Sequence, residues 1–139
     1  MKAVAIVVIA ACAALVSCSA QQDTQLAERG VMRFHEQFNT GQYAEVFAEG
    51  DALFQEGGEG AFVVVMQKLK EQFGDVRQSE LMNSKWQTGN ILIEERMVSG
   101  TIVVMAYRTE FARASATETF TWRIAQGRAT LMGYVNDAD

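Results

Sequence analysis

Residues 116–125 read A-T-E-T-F-T-W-R-I-A, and the fold turns on them. Their period-two alternation puts Glu118, Phe120, Trp122 and Ile124 on one face of a strand, and Thr117, Thr119, Thr121 and Arg123 on the other. The runs on either side, T-I-V-V-M-A-Y-R-T-E-F at 101–111 and R-A-T-L-M-G-Y-V at 128–135, are also rich in β-branched and aromatic residues. Gln126-Gly127 has the form of a two-residue hairpin turn. That turn sets Ile124 opposite Ala129, Trp122 opposite Leu131, Phe120 opposite Gly133 and Glu118 opposite Val135. A turn at Arg113-Ala114 sets Tyr107 opposite Phe120, Met105 opposite Trp122 and Val103 opposite Ile124. The two turns are read independently, yet both give one almost wholly apolar face. A slip of one residue would scramble it.

Upstream the pattern is helical. Ala27, Val31, Phe34 and Phe38 form one apolar stripe, with Asp23 or Thr24 as N-cap and Gly41 as stop. A second helix starts near Gln42 with Tyr43, Val46, Phe47 and Phe54 inward, and Gly50-Asp51 breaks or bends it. A third runs from about Glu59 to Phe73, with Phe62, Met66, Leu69 and Phe73 on one face and Gly74 as its end. Val76 to Thr88 reads as a first strand, Gly89-Asn90 as a turn, and Ile91 to Val98 as either an irregular strand or a covering loop. Helices segregated before antiparallel strands make the fold class α+β, about three helices on one face of a four-stranded sheet. With 139 residues, 49% of them apolar, residues 24–139 suit a single domain.

The N-terminus has a different composition. Lys2 precedes a small and apolar run from Ala3 to Val16, too short to span a bilayer comfortably. The run ends in Leu15-Val16-Ser17-Cys18, which resembles the lipobox of bacterial lipoproteins. The resemblance implies that residues 1–17 are a signal peptide, that Cys18 is lipidated and becomes the mature N-terminus, and that residues 18–23 are a tether. Ser19 at the following position implies sorting to the outer membrane. Cys12 falls in the discarded segment, which leaves no second cysteine for an internal disulfide. Loss of Lys2 takes the formal charge from −5 to −6, or 11 basic against 17 acidic residues. An acidic domain without a basic cluster argues against nucleic-acid binding.

The segment F-N-T-G-Q-Y-A-E-V-F, the Y-R-T-E-F and T-E-T-F-T-W-R-I strands and the closing L-M-G-Y resemble small bacterial lipoproteins of the cystatin-like, nuclear transport factor 2-like superfamily. The resemblance implies a curved sheet wrapped as a cone around a cavity. Distant members such as ketosteroid isomerases and small dehydratases use that cavity as a pocket. No position here matches the isomerases' general-base aspartate.

Two classes of function follow. In a pocket protein, Glu118 would be the inward carboxylate, with His35, Tyr43, Tyr107 and Trp122 around it. A buried carboxyl is how a general acid or base is made near neutral pH, and tyrosine hydroxyls stabilise oxyanions. The structural alternatives are that Glu118 bonds backbone amides, Thr109 or an arginine, that His35 lies at the surface or in a cap, and that the tyrosines are core residues. One histidine and no free mature cysteine exclude a conventional zinc site, and no cofactor is implied. In a binding or assembly module, the sheet's outer face would serve instead. There Ile102, Val104, Ala106, Met132 and Tyr134 make apolar surface that suits a homodimer or an envelope partner; the alternative is that residues 91–98 cover it. The expectation is a lipid-anchored, non-catalytic envelope domain.

Overall fold

The computed structural model describes the backbone of residues 8–139 and the side chains of residues 19–139. Residues 1–7 and the Cys12 and Cys18 side chains, on which the expected signal peptide and lipidation site fall, lie outside the described residues. Four helices, α1 (Val8–Asn39), α2 (Tyr43–Ala48), α3 (Ala52–Gln55) and α4 (Glu59–Phe73), precede four strands, β1 (Val76–Ile93), β2 (Arg96–Phe111), β3 (Ser115–Ala125) and β4 (Arg128–Ala138). The strands form one antiparallel meander in chain order. The fold is therefore α+β, with the helices first and the sheet after them.

The apolar stripe of α1 is buried as its spacing requires: Ala27, Val31, Phe34 and Phe38 pack on Val103, Met105, Phe120, Trp122 and Leu131 of the sheet's inner face. Gly30 lies in the same contact. A Cβ there would come within 2.8 Å of the Trp122 ring, so the helix approaches the indole as closely as its backbone allows. Asn39 fastens the other end of α1, donating to Val76 O (3.1 Å) and accepting from Val76 N (2.8 Å). Residues 18–23 are helical rather than extended. They are part of α1, which begins upstream of the expected cap at Asp23 or Thr24.

The second helix is divided at Gly50, and α3 restarts from Asp51, whose carboxylate accepts from Leu53 N at 3.1 Å. Asp51 also ties the helices to the sheet, since its N–H donates to Leu131 O and its carboxylate accepts from Arg123 and Thr130.

The sheet departs from the expected register in three places. Gly89-Asn90 is not a turn; β1 runs through it, and Gly89 pairs with Gly100, both at positive φ (127° and 117°). The chain reverses instead at Glu94-Glu95, with φ of 47° and 65°. Positive φ at both central positions is the type I′ hairpin pattern, and two glutamates give no sign that they adopt it. Between β2 and β3 the pairing is displaced by two residues, so Tyr107 meets Glu118, Met105 meets Phe120 and Val103 meets Trp122. An even displacement keeps each residue on its face.

The third departure matters most. Gln126-Gly127 is the expected turn (φ 53° and 70°), and Ile124 meets Ala129 and Trp122 meets Leu131 as the sequence suggested. Then β4 bulges. Thr121 pairs with Gly133, leaving Met132 as an extra residue. The bulge reverses the faces beyond it. Tyr134 therefore pairs with Phe120 and faces inward, while Val135 is exposed.

Candidate functional site

Three elements converge on one buried carboxylate. Alternation along β3 turns Glu118 inward; it is 1% exposed. The α1 stripe brings His35, 8% exposed, to meet it: His35 Nε2 lies 2.7 Å from Glu118 Oε1. A carboxylate only accepts, so Nε2 is the ring nitrogen that donates. The β4 bulge supplies the third group, Tyr134, whose hydroxyl donates to Glu118 Oε2 at 2.5 Å and accepts from Asn136 Nδ2 at 3.2 Å. Both oxygens of Glu118 are thus engaged inside the protein. Phe34 and Phe120 close the surroundings, with ring centroids 5.1 Å apart; each also packs against His35 and Tyr134.

Of the side chains singled out in the sequence, His35 and Glu118 come together. His35 is neither at the surface nor in a cap, and Glu118 pairs with neither Thr109 nor an arginine. Tyr107 contributes its ring, perpendicular to Phe120 at 5.9 Å, and the Trp122 ring lies parallel to Phe120 at 6.1 Å. Tyr43 belongs to a separate part of the core beside Phe38. Tyr134 was read as outward and joins the site because of the bulge. One sequence signal pointed to it: strict alternation put Gly133 inward and the aromatic side chain outward.

The outer face also differs from expectation. Ile102 is buried, and Val104 and Met132 are half-buried. Arg123, on that face, donates to Ser99 O at 2.9 Å, which holds the distal part of the β1–β2 hairpin at this end of the sheet.

Two surface clefts border the cluster, through Tyr134 and Phe34, without reaching the carboxylate itself. One, of about 250 Å³, lies between α2, α3 and α4 and is lined by Phe47, Phe54, Phe62, Met66 and the Tyr134 ring, among others. Another, of about 60 Å³, is lined by Gly30, Arg33, Glu49 and Trp122. Neither includes Glu118 or His35. Among the described residues, no group of three His, Cys, Asp or Glu side chains is placed to hold a metal ion.

Residues 31–134 match the family model described as a protein of unknown function, DUF4019. The chain belongs to the DUF4019 family. The match takes in His35, Glu118 and Tyr134, so the whole carboxylate cluster lies within this DUF4019 domain. It begins downstream of Cys18. No curated protein and no solved structure matches the chain.

The packing of the tyrosines has a measurable consequence. All three are harder to ionise than a free phenol. Burial raises Tyr134, with the Glu118 charge and hydrogen bond adding to it. Burial and then the Glu28 charge push Tyr107 up to about 12. Burial and the charges of Asp75 and Glu71 raise Tyr43. A folded value above the unfolded value of about 10 favours the neutral phenol. This stabilisation is complete below that pH and is lost as pH rises through the folded value. Tyrosinate absorbance is therefore expected to stay flat through pH 10 and to rise together with loss of the circular dichroism signal above it. A tyrosinate rise near pH 10 in protein that is still folded would contradict this packing.

Proposed function

We propose that this DUF4019 protein is a lipid-anchored protein of the bacterial cell envelope, on the periplasmic side of the outer membrane, whose folded domain is a non-catalytic binding or assembly module. The observation that carries the non-catalytic reading is the closure of the Glu118 cluster. A catalytic carboxylate must reach substrate. Here both oxygens are taken by His35 and Tyr134, and aromatic rings fill the space where a pocket would lie. The anchor rests on the Leu15-Val16-Ser17-Cys18 sequence. Among the described residues no helix is long and apolar enough to cross a membrane.

Fractionation of cells fed labelled palmitate tests the anchor. Wild type is expected in the membrane fraction and labelled. Cys18→Ser is expected to lose the label and to retain its leader. Label and processing unchanged in the variant would refute the anchor.

The cleft of about 250 Å³ favours a second reading, a site for a small apolar ligand. What supports assigning the fold to the nuclear transport factor 2-like group is the order of helices followed by a four-stranded antiparallel meander; the cleft, walled by α2, α3 and α4 with Tyr134 alone from the sheet, is not that group's central cavity. Assembly through the outer sheet face has less support, since of the five side chains considered Ile102 is buried, Tyr134 faces inward, and Val104, Ala106 and Met132 are only half-exposed there.

A further inference from the structure

We propose that the face formed by the N-terminal part of α1 and the neighbouring part of β1, centred on Trp86, lies in the lipid headgroup layer as a second membrane contact beside the acylated Cys18. This rests on the lipid-anchor reading and adds to it an orientation of the domain.

Three observations carry it. The first is that no flexible spacer separates the anchor from the domain, because residues 18–23 continue into α1. The second is position. Asn39 and Val76 are joined by two hydrogen bonds, which fixes α1 and β1 at one end. Counting back from Asn39 to Cys18 along the helix, or forward from Val76 to Trp86 along the strand, covers about 30 Å in each case. Trp86 is thereby brought to the level of the anchor. A cleft of about 520 Å³ there is lined by Ala20, Gln21, Thr24 and Glu28 of α1 and Ser84 and Trp86 of β1. Ala20 is only about 3 Å along the helix axis from Cys18. The third is chemistry. Trp86 is 50% exposed, and five of the nine large apolar side chains exposed among the described residues, Leu81, Met82, Trp86, Leu92 and Met97, are on this one hairpin.

An acyl-anchored helix start cannot stand far from the bilayer, whose polar layer is several ångströms thick on each side. Indole is suited to that layer, apolar in its body and with one N–H for water or a headgroup. None of the residues lining this cleft is basic. The contact therefore requires no anionic lipid, in keeping with the acidic charge of the chain.

Two tryptophans make the test direct. Trp122 is 5% exposed inside the domain and serves as the internal reference. The full chain, processed and lipidated in a bacterial host, is reconstituted into phosphatidylcholine vesicles with and without brominated acyl chains. Flotation reports anchoring, and fluorescence reports depth. The expected result is co-flotation, with roughly half of the emission lost to the brominated lipid, since one of two emitters reaches it. Trp86→Phe should still float, keep its circular dichroism spectrum and show no quenching. Flotation without quenching overturns the inference while leaving the anchor intact. A blue-shifted emission without quenching overturns it too, by assigning Trp86 to a protein partner. Quenching that survives Trp86→Phe places the wrong tryptophan at the membrane. Failure to float overturns the anchor and this contact with it.

Discussion

Glu118→Ala is expected to lower stability by about 2–6 kcal/mol, measured by urea unfolding of the domain. Two buried donors, His35 Nε2–H and the Tyr134 hydroxyl, lose their acceptor together, and an unsatisfied buried polar group costs about 1–3 kcal/mol. Water cannot easily replace the carboxylate, because Phe34 and Phe120 pack around the site. Glu118→Gln should fall between wild type and alanine, at about 1–2 kcal/mol. Its amide oxygen can accept from His35. Its amide nitrogen then faces Tyr134, which must turn to accept rather than donate. The sign bears on function as well. Groups held for chemistry are often strained, and removing them commonly leaves stability unchanged or increases it. A Glu118→Ala variant as stable as wild type, or more so, would refute the structural role and return Glu118 to the list of catalytic candidates.

How much of this was legible in the sequence differs from element to element. The α1 stripe, the inward face of β3 and the Gln126-Gly127 turn were readable because local spacing alone decides them. The helical continuation through residues 18–23 was not, because a polar stretch after an apolar run has no periodicity of its own. Nor was the reversal at Glu94-Glu95, since glutamate carries no preference for positive φ. The carboxylate cluster was half legible. Glu118 was inward by alternation, but its partner His35 is 83 residues away and at the edge of its stripe. Tyr134 depends on one extra residue in β4. A bulge is a property of two paired strands, and nothing in a single strand's sequence requires it. The same bulge moved Tyr134 from the expected outer interface to the core, and so altered both functional readings.

Trp122→Ala is the second large effect, expected at about 3–5 kcal/mol for a truncated core aromatic. That is a large part of the 5–15 kcal/mol typical of a folded domain. The indole stacks on Phe120 and lies against the α1 backbone at Gly30, so its loss opens a void between the helix and the sheet. The Nε1 atom is buried without a partner, which offsets part of what the ring contributes. Trp122→Phe, which removes that donor while keeping an aromatic ring, should therefore cost much less than alanine. The close approach at Gly30 supplies a sharper check. In wild type, Gly30→Ala pushes a methyl group into the indole and should destabilise by about 1–3 kcal/mol, although alanine is the better helix former. In the Trp122→Ala background the obstruction is gone. The same substitution should then stabilise by up to about 1 kcal/mol through helix propensity alone. The inversion of sign, read from a double-mutant cycle, measures the contact itself. An equal effect of Gly30→Ala in both backgrounds would mean that the indole does not rest on α1, and the inward face of the sheet would have to be assigned again.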